Sequence, residues 1–463
     1  MGNNGRLYFV LVQFVTRLCG ERESTLRLLS LVAGCGLVPL TYVLVRSWKC
    51  TLGASLFAAI LVAVDGNNLF FASEARPYAL VQLVALCRLY FFSRLLLREQ
   101  TTTVWIYWVV MGIFLFHLHC TTALIFLAEA LIYVVLRSLR TEVKLHWTYF
   151  AIGLAVVVVS SYPAWGLLQQ ISARRDNWAM FIKRTGNPFK MLWMYPLGGY
   201  CWLSLTTLVL WNSFWRWRQP VGDELEDTVE EDEDNEESRG ETLIAFVTAG
   251  FWLFAPILTV WILTELDVAR LFFRRYVIAS SVSLAPLTAL ILTRLTEKRG
   301  ARVVMIACLA ISIGFVSPLP KLLYGGNPFS RSPEDWRSAV QRIQSEGPND
   351  PVILYSGLIE ADQWHDTSDE RERAYCEFPL RGLYDVGVDR QIVSLPRTQP
   401  PKLTLAPDGS VAWLVIRGDH DRASQTIAAV QAAMGAGWTT QDVPLVSNRV
   451  HVIRLSRETE TDE

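Results

Sequence analysis

The sequence predicts a mainly α, polytopic helical membrane protein that ends in a small α/β domain. Three observations carry this prediction. The 463 residues are 51% hydrophobic and include 17 Trp at a formal net charge of -1, which is too oily for one soluble domain of that length. Apolar runs near the ~20 residues needed to cross a bilayer recur through the first two thirds of the chain. From about Tyr324 the content of Pro and charged residues rises, and no run reaches spanning length. The expected domains are residues 1–323, the multi-span region, and residues 324–463, a soluble α/β region.

Taken in order, residues 6–18 are moderately apolar and fit part of a helix. Candidate spans follow at 28–45, 52–70, 78–96, 104–119, 121–137, 147–166, 191–213, 242–264, 275–293 and 302–322, about ten in all. The pair around His117 and His119 is short, which predicts a tilted or partly inserted hairpin with both His as polar residues at a helix turn. Between the seventh and eighth spans, residues 221–241 are dominated by Asp and Glu. Such a block repels itself and buries no core, so a disordered cytoplasmic loop is expected; it lacks the Gly and the ligand spacing of a calcium loop.

Loop charges orient the set. Arg46 and Lys49, Arg94 and Arg98, Arg137 to Lys144, Arg216 and Arg218, and Arg294 to Arg299 fall on alternate loops, the pattern of cytoplasmic loops in a plasma (inner) membrane protein. The loop after residue 70, the loop at 167–190, the C-terminal domain and the N-terminus then lie on the extracytoplasmic side. An outward N-terminus is awkward to insert without a preceding span, so a first span is expected to be missing from this chain.

In the tail, Ser332-Pro333-Glu334-Asp335 opens a helical pattern through Trp336, Val340 and Ile343. Pro351 to Tyr355, Val411 to Ile416 and Arg449 to Leu455 read as strands, and Ala423 to Met434 as a helix. There is no Gly-rich phosphate loop, and His365 and His420 lack metal-ligand spacing, so a binding or structural role is expected there. Near-zero net charge without a basic stripe argues against nucleic acid as a partner. The eight Cys form no C-x-x-C pair and read as small core residues.

One constellation carries chemistry on the residues alone. Ser73-Glu74-Ala75-Arg76-Pro77-Tyr78-Ala79-Leu80 sets a carboxylate beside a guanidinium between two apolar runs. Pro77 suits the first position of the following helix, and Arg76 would stand beside helix-start N–H groups that cradle anions. The plainer reading, a self-neutralising pair marking the membrane boundary, is equally consistent with the residues. Arg174, Arg175, Lys183 and Arg184 form a further basic group on the outward side, with an anionic ligand or a surface loop as its two accounts.

The order LRLLSLVAG, two spans, FFASEARPYAL, later RRYVIAS before a span, and finally SPEDWRSAVQRI opening a soluble tail resembles membrane glycosyltransferases of the GT-C superfamily. The likeness is to the RgtA/B/C/D-like group, related to the protein O-mannosyltransferase and ArnT families. This resemblance implies transfer of a sugar from a polyprenyl-phosphate donor to a lipid, glycan or protein acceptor of the cell envelope, at the extracytoplasmic face among membrane lipids. It implies that Arg76, Tyr78, Arg270, Arg274, Arg275 and Tyr276 contact substrate, with a snorkelling interfacial set as the plainer account of the arginines at 270–275, and that a first-loop carboxylate handles the acceptor hydroxyl. The family's Asp-Glu loop and first span have no counterpart here, and Asn4-Gly5-Arg6-Leu7-Tyr8 stands where a His-Pro-Pro-Leu-Tyr-like segment is usual. Glu74 is the best remaining catalytic candidate. The alternative is a non-catalytic binder or transporter of the lipid-linked sugar. No cofactor is called for, and a divalent metal is left open.

Overall fold

A computed structural model of the chain describes residues 6–20, 22–98, 101–164, 186–191, 232–294, 298–317 and 334–457, apart from 383, 388, 398–409, 436 and 446–448, with single positions at 166, 169, 184, 320 and 323. The chain divides into two compact units, Met1–Pro328 and Phe329–Glu463.

The described part of the first unit is a helical membrane fold. Its helices are α1 (Arg6–Cys19), α2 (Glu23–Ser47), α3 (Leu52–Val64), α4 (Gly66–Ser73), α5 (Tyr78–Leu97), α6 (Thr102–Leu118), α7 (Ala123–Ser138), α8 (Trp147–Ser160), α9 (Asp232–Glu265), α10 (Leu284–Arg294) and α11 (Lys298–Ile311). Polar side chains start several of them: Thr51, Asp65 and Thr101 each accept a hydrogen bond from the backbone N–H three residues on, satisfying donors that a helix start leaves open. α5 is the hub, buried along most of its length. Val134, Val158 and Val159 instead turn outward, as suits a face in hydrocarbon.

Among the described residues, five helical segments are long and apolar enough to span a membrane: Glu23–Ser47, Tyr78–Leu97, Cys120–Ser138, Trp147–Ala164 and Gly240–Glu265. The bent pair α3 and α4 makes a sixth if counted as one broken span. Several of the expected runs are not single straight α-helices. The run at 52–70 is two helices meeting at 53°, because Asp65 ends α3 and caps α4. The run at 275–293 is helical only from Leu284, after one-turn 3-10 segments at Arg274–Tyr276 and Ser281–Ser283. The run at 302–322 leaves α-helical geometry at Ser312. The run at 191–213 lies outside the described residues.

The acidic block also departs from expectation. Residues 221–231 lie outside the described set, but from Asp232 the chain is already helical as the start of α9. Carboxylates at a helix N-terminus are favoured by the helix dipole, a stabilisation that composition alone does not count. Glu241, at the end of the block, meets Lys49 Nζ at 2.5 Å.

The second unit is a five-stranded sheet of order β2-β1-β3-β5-β4, from β1 (Val352–Tyr355), β2 (Ile392–Ser394), β3 (Val411–Arg417), β4 (Trp438–Val443) and β5 (Val450–Arg457). β1 runs parallel to β2 and β3, while β5 is antiparallel to β3 and β4. Alternation along the strands makes two cores. Val352, Leu354, Trp413 and Val452 pack with α12 (Trp336–Glu346). Ile353, Leu414, Ile416 and Ile453 pack with α15 (His420–Met434). Between β1 and β2 run α13 (Ile359–Thr367) and α14 (Glu370–Arg381).

Candidate functional site

The site grows from three places where apolar helices stop. The first is the stretch between α4 and α5. Glu74 Oε2 meets Arg76 Nε at 3.2 Å, with the two side chains 30% and 51% exposed, so this pair is half open to its surroundings. Its backbone is anchored from below: Ser30 donates to the Arg76 carbonyl at 3.0 Å and lies 3.0 Å from the Tyr8 hydroxyl. Pro77 precedes the first residue of α5, one place earlier than the sequence suggested, and Tyr78 turns inward, 5% exposed.

The second is the turn between α6 and α7. His119 ends α6 in an extended conformation and is 1% exposed. Its ring lies 6.0 Å from that of Tyr78 and 6.2 Å from that of Tyr276. Thr121 donates to the Tyr276 carbonyl at 2.9 Å and sits 2.8 Å from His119 Nδ1. With that hydroxyl proton spent on the carbonyl, the network assigns the ring proton to Nδ1 and leaves Nε2 as an acceptor. Nε2 has no hydrogen-bond partner among the described residues.

The third is the 3-10 turn Arg274–Tyr276. The Arg275 guanidinium lies 5.1 Å from the Phe273 ring and 5.0 Å from the Tyr276 ring, and donates to the Tyr276 hydroxyl at 3.1 Å. These ring contacts hold its planar fork in one orientation. Arg274 donates to Asn67 Oδ1 at 2.9 Å, which ties the turn to the break between α3 and α4.

That break is polar. Asp65 Oδ2 caps α4 through Asn68 N–H at 3.0 Å, and Gln82 Nε2 reaches Asn68 Oδ1 at 2.8 Å and Ser281 Oγ at 3.3 Å. Asp65, Asn67, Asn68, Gln82 and Ser281 line a small cleft whose other walls include Leu37, Val62 and Leu86.

Of the residues singled out in sequence, Tyr78, Arg274, Arg275 and Tyr276 come together. Glu74 and Arg76 sit at the end of α5 from which Tyr78 turns inward. Arg270 belongs to a different set, where its Nε meets Asp267 at 3.1 Å and Arg184 meets the same carboxylate at 3.2 Å. These two cations, Arg270 foremost, hold the Asp267 carboxyl below its ordinary range. Arg174, Arg175 and Lys183 lie outside the described residues. Sequence reasoning passed over Asp65, Asn67, Asn68 and Gln82 and gave His119 no role in the site. The signal was there: Asp-Gly-Asn-Asn is turn chemistry, and it interrupts a run otherwise read as one span.

No family model and no characterised protein matches the chain in sequence. Solved structures do match in fold. ArnT from Cupriavidus metallidurans bound to undecaprenyl phosphate aligns over 98% of this chain and 88% of its own, with TM-score 0.50 and 13% identity. The apo ArnT of the same organism aligns over 98% and 87%, with TM-score 0.48 and 13% identity. The likeness to the lipid-bound structure shows that the chain has the ArnT fold.

Proposed function

We propose that this chain is a membrane glycosyltransferase that moves a sugar from a polyprenyl-phosphate donor to an envelope acceptor at the extracytoplasmic face. The observation that carries the reading is the convergence of Arg274, Arg275, Tyr78, His119 and Tyr276 where α4, α6 and α9 give way to turns. Guanidinium groups held in place, Arg275 by aromatic faces and Arg274 by Asn67, suit a phosphate, which they meet with paired N–H donors. The fold supports the same reading, since its ArnT counterpart was crystallised with undecaprenyl phosphate.

In this reaction the acceptor oxygen bonds to the anomeric carbon as the carbon–oxygen bond to phosphate breaks, and the electron pair stays on the phosphate. Arg274 and Arg275 stabilise that growing charge, with Arg76 on the side of Glu74. Glu74 takes the proton of the acceptor hydroxyl or orients it. Tyr78 and Tyr276 wall the site, and Arg270 stands apart as part of the Asp267 cluster.

Binding of undecaprenyl phosphate to the full chain in lipid nanodiscs tests the proposal. Arg275→Ala should weaken binding about ten- to a hundredfold, the worth of a charge-assisted contact of roughly 1.5 to 3 kcal/mol. Wild-type affinity in Arg275→Ala and Arg274→Ala alike, with unchanged melting, would overturn it. Turnover of a lipid-linked labelled sugar separates an enzyme from a non-catalytic binder.

A further inference from the structure

Three buried polar atoms at the break between α3 and α4 have no hydrogen-bond partner among the described residues: Asp65 Oδ1, Gln82 Oε1 and Asn67 Nδ2. Asp65 is 5% and Gln82 3% exposed, and all three residues line the same cleft. None of the three can turn away freely. Asp65 is held by its cap to Asn68, Asn67 by Arg274, and Gln82 by Asn68 and Ser281. Buried polar groups in native folds are almost always satisfied, so these three fixed atoms call for a partner, either a bound guest or ordered water.

The three atoms dictate the chemistry of that guest. Two accept and one donates. An ammonium only donates, so it would leave Asn67 Nδ2 unmet and would sit near the Arg274 cation. A phosphate or carboxylate only accepts, and Asp65 repels it. A hydroxyl both donates and accepts, and two neighbouring hydroxyls satisfy all three atoms. We propose that this cleft reads the hydroxyl groups of the donor's sugar, and that the sugar offered to it is a neutral polyol rather than an amino sugar.

The inference rests on the polyprenyl-phosphate reading above, to which it adds the sugar class. Arg274 supplies the link, because it belongs to the cationic turn and also binds Asn67 at the rim of the cleft.

The test compares undecaprenyl phosphate with its glucosyl, mannosyl, arabinosyl and glucosaminyl esters, each binding to the full chain in nanodiscs. At least one neutral ester should bind about tenfold tighter than the bare phosphate, and tighter than the glucosaminyl ester. Asp65→Asn keeps an oxygen for the cap but puts an amide N–H where the unmet acceptor was. That variant should lose the preference while still binding bare undecaprenyl phosphate, and Gln82→Leu should do the same. Melting temperature checks that both variants fold. The proposal is overturned if no neutral ester is preferred, if the glucosaminyl ester is preferred, or if a folded Asp65→Asn or Gln82→Leu keeps the full preference, in which case ordered water meets these atoms. Failure of the bare phosphate to bind, beside a neutral ester that binds through Asp65, would sink the phosphate reading and leave the sugar cleft standing.

Discussion

Glu129 illustrates how little a run of letters says about a residue's burden. It lies in the middle of an apolar run, yet in the folded chain it is fully buried and accepts from Arg88 Nε at 2.8 Å, Arg88 Nη2 at 2.6 Å and Trp108 Nε1 at 3.1 Å. Removing one partner strands the other, so Glu129→Ala should cost about 3–5 kcal/mol. Thermal melting in detergent checks this, and an Arg88→Met, Glu129→Leu double variant should recover most of the loss because no charge is then left unpaired. The Glu74–Arg76 pair is the contrast. Half exposed, it is worth about 0–1 kcal/mol, so Glu74→Gln should melt near wild type and should not weaken undecaprenyl phosphate binding. Arg76→Lys should weaken that binding although the charge is kept, since an ammonium lacks the planar two-point contact; equal affinity would assign Arg76 to the boundary pair alone. Tyr78, Arg275 and Tyr276 stood out in sequence through the EARPYAL and RRYVIAS segments that carry the family resemblance. Asp65 and His119 did not, because their meaning depends on helices far apart in the chain converging on them.

At the level of elements, apolar length located most helices but not their breaks. A break depends on one cap and its neighbours, as Asp65 shows, whereas a run is an average over many residues. The tail behaves similarly. Its strands at 352–355, 411–417 and 450–457 lie within a residue or two of those expected, but β2 is only three residues long and β4 is a polar edge strand, Thr439-Thr440-Gln441-Asp442, with no alternation to detect. Close helix contacts make further predictions. A Cβ on Gly34 of α2 would lie 2.5 Å from Ala72 Cβ of α4, so Gly34→Val should destabilise by about 1–3 kcal/mol through overpacking, read as a lower melting temperature. On α14, Cys376 is wholly buried, and burial pushes its thiol up to about 11. Only about one molecule in a thousand then carries the thiolate at pH 8. Mass-mapped alkylation by iodoacetamide should miss Cys376 until denaturant is added, and rapid labelling of the folded chain would contradict this packing.

For the molecule as a whole, the two units differ in what stabilises them: one by helices facing hydrocarbon, the other by a sheet with a core on each face. From the alternation of basic loops we expect the C-terminal unit outside the cell and the acidic stretch at 221–241 inside. A reporter fused at Glu463 should therefore behave as exported and one placed after Glu237 as cytoplasmic; the same side for both would refute the orientation. The Arg88–Glu129 pair adds a constraint on how such a molecule is made. An arginine at the centre of a lone helix disfavours transfer from the translocon into lipid by about 2.5–3.5 kcal/mol. α5 carries Arg88 and α7 carries Glu129, with Trp108 of α6 joining both. Each charged helix is therefore a poor entrant alone and a good one with its partner, so α5 should linger at the translocon until α7 emerges and the three helices leave it as a group.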